Sequence, residues 1–117
     1  MKAVIQTDIS EEKLRLLKMV KALGNPIRFQ IIEYLGECQT CITNDIVIRT
    51  PLAQSTVSQH LKVLREAGLI KGELDGPATC YCLDCEGINW FQEHISEWAE
   101  NIQAFCPPGD FNKFSLK

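Results

Sequence analysis

The feature that most constrains this chain is a single change of hydrophobic period near its middle. From about Ala53 to Ala67 the apolar residues recur every three or four positions, which indicates an amphipathic helix that ends at Gly68. Two short β-prone runs follow, on either side of Asp75 and Gly76, and an Asp-Gly pair between such runs is typical of a β-hairpin. This succession predicts a mainly α domain with a β-hairpin wing.

Two helices are predicted before this segment. Ser10, followed by two acidic residues, is a typical N-cap for the first helix, and Gly24 is expected to end it. Asn25 and Pro26 combine an N-cap with a proline at the first helical position, so a second helix should begin there. We expect that second helix to end at Gly36.

Two more helices complete the predicted order. A short third helix is expected between residues 43 and 50, ended by Pro51. The order helix, helix, short helix, longer helix, hairpin, helix is the plan of a winged helix-turn-helix. We expect this domain to span residues 1–106 and an irregular tail to span 107–117. The last helix is expected over 87–105, with a heptad seam suited to self-association: Ile88, Phe91, Ile95, Trp98, Ile102 and Phe105.

Composition excludes several classes of protein. The chain has 117 residues, 45% of them hydrophobic, and no apolar run approaches the roughly 18 residues of a membrane-spanning helix. The N-terminal stretch turns acidic and lacks the apolar core of a signal peptide, so a cytoplasmic protein with no membrane partner is expected. Neither a glycine-rich phosphate loop nor a nucleophile arrangement around the two histidines is present, so we do not expect an enzyme.

Net charge is a misleading average in this chain. The overall value of −3 argues against a nucleic-acid binder, whose footprint should be basic. By segment, however, residues 49–71 carry four basic side chains and one acidic one (net +3), whereas residues 84–110 carry six acidic and no basic ones (net −6). The segment that contains the predicted helix before the hairpin is therefore the most basic region of the chain, and the acidity collects on the last helix and its flanks.

The outer face of the helix over 53–67 has the side chains of a DNA-reading surface. Small hydroxyls and amides hydrogen-bond to base edges in the major groove and leave room for backbone approach to phosphates. A merely solvated polar face is the alternative, and the hairpin directly downstream favours DNA binding. With Val57, Leu61 and Leu64 turned inward, the outer face carries Gln54, Ser55, Ser58, Gln59 and Lys62, with Thr56 and His60 at its margins and Arg65 as a candidate phosphate contact.

Two motifs carry a resemblance to a known family. They are ALGNPIR at residues 22–28 and STVSQHLKVLREAGLI at residues 55–70. With the hairpin, residues 22–83 resemble the ArsR/SmtB family of bacterial metal- and stress-sensing repressors. The resemblance implies a homodimer joined by its first and last helices, which sits on a palindromic double-stranded DNA operator without needing a cofactor and leaves it when an effector binds. It assigns the DNA contacts to Gln54, Ser55, Thr56, Ser58, Gln59, His60 and Lys62.

The chain departs from the family pattern at several places. Ala53 stands where a capping serine is common, so this helix start is less well capped. At the tip of the wing, Pro77 replaces an arginine that would contact phosphate. The family's two usual metal sites are not carried over, because their ligand positions hold Ile42 and Asn44 in one case and Cys85, Gly87, Trp98 and Asn101 in the other, where Cys85 alone could ligate.

The cysteines predict a different kind of sensor. The chain has six, and in a reducing cytosol clustered cysteines more often bind metals or undergo redox reactions than form structural disulfides. Thiolates suit As(III), Zn(II) or another soft metal, and pairing of strands could bring Cys41 beside Cys82. Thiol oxidation, with a disulfide between Cys38 and Cys41 or Cys80 and Cys82, is an alternative, as is a zinc-stabilised protein-interaction module. Buried cysteines can also be small hydrophobic residues. The candidate ligands are Cys38, Cys41, Cys80, Cys82 and Cys85.

Overall fold

The computed structural model describes residues 5–38, 51–72 and 80–106 of the protein. The predicted short helix within 43–50, the turn of the hairpin and the tail over 107–117 lie outside these residues. The described elements are α1 (Glu11–Leu23), α2 (Pro26–Cys38), α3 (Gln54–Glu66), β1 (Ile70–Gly72), β2 (Tyr81–Leu83) and α4 (Cys85–Gln103). None of these described helices is long and apolar enough to cross a membrane.

The first two helices begin where the sequence predicts. The Ser10 hydroxyl accepts a hydrogen bond from the Lys13 amide at 3.3 Å, and α1 ends with Gly24 as its C-cap. The Asn25 side chain accepts from the amides of Ile27 and Arg28, at 2.9 and 3.1 Å. The Ser10 and Asn25 side chains thus satisfy amide groups that the first turn of a helix leaves without a partner.

Three predicted helix boundaries were wrong, each by two residues. The second helix does not end at Gly36 but continues to Cys38. A Cβ atom at Gly36 would lie 3.8 Å from a methyl group of Leu83, so α2 packs against the second strand at this point and tertiary contact outweighs the low helix propensity of glycine. The last helix runs from Cys85 to Gln103 rather than over 87–105, because the Asp84 carboxylate accepts from the Gly87 amide at 3.1 Å and serves as its N-cap.

The core forms where α1, α2, α3 and the hairpin meet. The two strands are antiparallel, with Lys71 paired with Cys82 at the centre of the register. On α1, the structure buries Met19 and Ala22, whereas Val20 is 42% exposed. Among the described residues, the buried core consists of Met19, Ala22, Ile31, Leu35, Val57, Leu61, Leu64, Ala67, Leu69, Ile70 and Tyr81.

Candidate nucleic-acid interface

Helix α3 divides into the two faces that the sequence predicts. Val57, Leu61 and Leu64 are at most 2% exposed and join α3 to the core. The opposite face is open to solvent, as a surface that contacts another molecule must be. Of the eight predicted DNA-contacting residues, Ser58 and His60 are half-buried and the others are exposed: Gln54, Ser55, Thr56, Gln59, Lys62 and Arg65.

The start of α3 has no side-chain cap. Ala53 occupies the N-cap position with an extended backbone, and its carbonyl oxygen accepts from the amides of Thr56 and Val57 at 3.0 and 3.1 Å. The first amides of the helix therefore lack the side-chain acceptor that a serine would supply. Amides at a helix N-terminus, together with the positive end of the helix dipole, suit a phosphate oxygen.

The end of α3 is fixed by a hydrogen-bonded turn. Gly68 has a φ of +84°, a left-handed conformation that favours glycine. Its amide donates to the Arg65 carbonyl at 3.0 Å, and the Leu69 amide donates to the Leu64 carbonyl at 3.1 Å. This pair of bonds is the Schellman motif, and Leu64 and Leu69 are both fully buried beside it. The turn therefore sets the direction in which α3 leads into the hairpin.

His60 has a partner that sequence reasoning missed. Its Nδ1 atom lies 3.3 Å from Nη1 of Arg28, a residue 32 positions earlier in the chain. The same guanidinium donates through Nε to the Ala22 carbonyl at 2.7 Å and through Nη2 to the Lys21 carbonyl at 3.5 Å. Arg28 thus joins the end of α1 to the face of α3. It lies within the ALGNPIR motif, but no local pattern in that motif indicates a contact so distant in sequence.

The predicted thiol ligands are only partly described. Cys38 ends α2, Cys80 precedes β2 and Cys82 lies within it, and all three are half-buried, whereas Cys85 is exposed in the first turn of α4. Cys41 lies outside the described residues. Within residues 5–38, 51–72 and 80–106, no three His, Cys, Asp or Glu side chains are gathered closely enough to hold a metal ion.

The region where α1 packs against α4, the α1–α4 end, holds a cluster of aromatic and charged side chains. The Arg15 guanidinium lies 4.0 Å from the centre of the Trp90 ring, a cation–π arrangement. Trp90 in turn stacks on His94 with ring centroids 3.8 Å apart. His94 contacts the Trp90 carbonyl through Nδ1 at 2.8 Å and Glu12 through Nε2 at 3.5 Å. The Arg15–Trp90 and Glu12–His94 contacts join α4 to α1.

Beside that cluster lies an open apolar groove of about 520 Å³. Leu17 and Val20 of α1 and Trp98 of α4 line it, together with Ile9 of the segment before α1. Leu17 and Trp98 are 50% and 54% exposed. A single chain therefore leaves large apolar side chains in contact with water at this end.

Comparison with known proteins places the chain in a family. The model of the arsR family of bacterial regulatory proteins matches residues 25–71, which run from the start of α2 into β1. The uncharacterized HTH-type transcriptional regulator YbzH of Bacillus subtilis is 34% identical over 87 residues, and the match covers 62% of this chain and 86% of that protein. The chain belongs to the ArsR/SmtB family of transcriptional regulators.

Other members of the ArsR/SmtB family show how far the likeness extends. The HTH-type transcriptional repressor SmtB of Mycobacterium tuberculosis H37Rv is 38% identical over 66 residues, or 56% of this chain and 48% of that protein. The chain therefore spans about half the length of that repressor. The structure of an ArsR-like transcriptional regulator from Rhodococcus sp. RHA1 has a TM-score of 0.64 at 20% identity, over 81% of this chain and 92% of that one. The predicted winged helix-turn-helix fold is confirmed.

Proposed function

We propose that this protein is a sequence-specific DNA-binding repressor that leaves its operator when cysteine thiols bind arsenite or another soft metal. One observation carries the DNA-binding part of the proposal: the exposed face of α3. It presents amides, hydroxyls and two basic side chains, while its apolar face is fixed to the core and its end is fixed by the Gly68 turn. Rigid presentation of such a face is what base reading in the major groove requires.

The charge distribution favours one docking orientation. Residues 49–71, with four basic side chains and one acidic one, include all of α3. Residues 84–110, with six acidic side chains and no basic one, include all of α4. A negatively charged duplex is attracted to the first segment and repelled by the second.

A homodimer through α1 and α4 would complete this arrangement. The groove between these helices exposes Leu17 and Trp98, and a second copy of the chain would remove both from water. Two copies related by a twofold axis would present two α3 helices, which suits a palindromic operator.

DNA binding is tested with a duplex recovered by selection from a random library. We expect binding at nanomolar concentration with a steep salt dependence, measured by fluorescence anisotropy. Gln59→Ala should weaken binding to the selected duplex by about 1–3 kcal/mol and change binding to an unrelated duplex little. Gln103→Ala, which removes an exposed amide from the end of α4, is the matched control. If the wild-type protein has no affinity for any duplex, the protein is an interaction module instead.

The metal-sensing part of the proposal rests on the thiol groups that could serve as ligands. Three half-buried thiols lie at the end of α2 and around β2, and α2 packs against β2. Trivalent arsenic and other soft metals prefer such sulfur ligands. The described residues gather no three-ligand group, and the proposal adds Cys41, which lies outside them, as a further ligand.

The sensing mechanism is tested by release from DNA. Cys41→Ser and Cys82→Ser should keep operator binding but lose the release that arsenite causes. Cys106→Ser is the matched control, because this exposed thiol lies apart from the others at the end of α4 and its loss should leave release intact. Release by peroxide but not by arsenite would identify a redox sensor in place of a metal sensor.

A further inference from the structure

Arg28 lies where three helices meet. It occupies the first turn of α2, its Nε and Nη2 atoms donate to the last carbonyls of α1, and its Nη1 atom faces His60 of α3. The α1 contacts reach carbonyl groups of its last turn, of which that of Lys21 also accepts from the Gly24 amide at 3.2 Å, and they fix the position of the guanidinium. The Arg28 guanidinium, which faces His60, is therefore held in place by α1.

The chemistry of this contact fixes the proton on the imidazole ring. A guanidinium carries only N–H donors and keeps its proton in proteins, so it cannot accept a hydrogen bond. Nδ1 of His60, at 3.3 Å from Nη1, must then be the acceptor. In the neutral ring, the proton therefore lies on Nε2, which makes that atom a hydrogen-bond donor.

A donor at Nε2 suits a DNA phosphate. Phosphate oxygens only accept hydrogen bonds, so the other tautomer, with a lone pair on Nε2, would repel them. His60 lies at the half-buried margin of the exposed face of α3. The positive charge of Arg28 next to the ring adds to the attraction.

We propose that Arg28 is a positioning residue for DNA binding, which holds His60 in the Nε2–H tautomer so that this ring donates a hydrogen bond to a DNA phosphate. The proposal rests on the proposed DNA-binding function. Arg28 also connects α1, which lines the apolar groove, directly to α3.

The tautomer is measured on the wild-type protein by ¹⁵N NMR of the imidazoles, at alkaline pH where histidine is neutral. The chain has two histidines, and they should show opposite patterns. Nδ1 of His60 faces a donor, whereas His94 faces an acceptor at each nitrogen, the Trp90 carbonyl 2.8 Å from Nδ1 and Glu12 3.5 Å from Nε2, and the shorter contact favours a proton on Nδ1. We expect the proton on Nε2 in His60 and on Nδ1 in His94. A proton on Nδ1 of His60, or an Nε2–H signal that does not change when the duplex is added, would overturn the proposal.

The role of Arg28 is tested by a pair of variants. Arg28→Met keeps an extended side chain but has no donor, and it should weaken DNA binding roughly tenfold per half-site, the value of one hydrogen bond to a charged group. His60→Gln places an amide N–H near the Nε2 position without needing a tautomer. In the His60→Gln background, Arg28→Met should therefore have little further effect. Equal losses in both backgrounds would show that Arg28 contacts DNA itself and would overturn the proposal.

Two further readouts separate the outcomes. A phosphate contact predicts the same loss for the selected and for an unrelated duplex, whereas a loss confined to the selected duplex would contradict the phosphate assignment. Thermal unfolding of Arg28→Met detects a general loss of structure; if it occurs, the NMR result on the wild-type protein decides. If the wild-type protein binds no DNA at all, the proposed function fails, and this proposal fails with it.

Discussion

Helices α3 and α4 are both amphipathic, yet they bury their apolar faces to very different degrees. The inner face of α3 is at most 2% exposed at Val57, Leu61 and Leu64. Along α4, Ile88 and Phe91 pack against the core, but Trp98 is 54% and Ile102 is 48% exposed. Burial within one chain therefore completes the end that carries α3, whereas the α1–α4 end leaves large apolar side chains exposed. The predicted heptad seam is thus divided between intrachain packing and a face that suits self-association.

The largest expected effect is the loss of stability when a buried side chain on the inner face of α3 is shortened. Leu64→Ala removes a fully buried side chain and should lower the free energy of unfolding by about 2–5 kcal/mol. Urea unfolding followed by circular dichroism measures this change. Val63→Ala, at a neighbouring position that is 37% exposed, is the control and should change stability by about 0.5 kcal/mol or less. Similar losses in the two variants would contradict the burial contrast along α3.

The next effect concerns self-association through the exposed apolar groove between α1 and α4. Replacing Leu17 and Trp98 together with serine should weaken self-association by about 100-fold, or about 2.8 kcal/mol, because large apolar surfaces no longer leave water. Sedimentation equilibrium measures the dissociation constant. Phe29→Ser provides the control, since Phe29 is 49% exposed on α2 and does not line the groove. A dimer that persists unchanged in the double variant would place the interface elsewhere.

The two ends meet at a close contact between glycines. A Cβ atom at Gly87, in the first turn of α4, would overlap the Gly68 carbonyl oxygen, which ends the turn after α3. Gly87→Ala should therefore force the backbone to shift and lower the free energy of unfolding by about 1–3 kcal/mol. Gly36→Ala should instead raise it by about 0.5–1 kcal/mol, because the new methyl group in the interior of α2 makes only ordinary contacts. Thermal or urea unfolding of the two variants should give changes of opposite sign, and the same sign would contradict this close packing.

Local signals predicted the starts of α1 and α2 and the faces of α3, since caps and periodicity act over a few residues. Ser10, Asn25 and Gly68 act as predicted because their effects depend only on nearby backbone amides and on φ. Asp84 is a capping residue that the sequence offers, but the predicted start of α4, at residue 87, lies two residues too late. In contrast, the continuation of α2 through Gly36 depends on packing against Leu83. The Arg28 contact with His60 is likewise a product of tertiary structure, which no single segment encodes.

The smallest expected effect comes from the different N-caps of α1 and α3. Helix α1 begins with the Ser10 cap, whereas α3 begins with Ala53, which makes no side-chain cap hydrogen bond although its backbone angles are those of an N-cap. Ala53→Ser should therefore raise the free energy of unfolding by about 0.5–1 kcal/mol. Ser10→Ala, in the reverse direction, should lower it by a similar amount.

Comparison of two caps at Ala53 shows whether the start of α3 meets DNA. Ala53→Asp should stabilise the fold at least as well as Ala53→Ser, because a carboxylate also favours the positive end of the helix dipole. On DNA the two variants should differ: serine should leave affinity nearly unchanged, whereas aspartate should weaken it at least tenfold through repulsion of the phosphates. Anisotropy titrations at two salt concentrations measure this difference, which should shrink as salt rises. If aspartate binds DNA as well as serine does, the uncapped start of α3 lies away from the phosphate backbone. The missing cap would then be a loss of stability with no gain in binding.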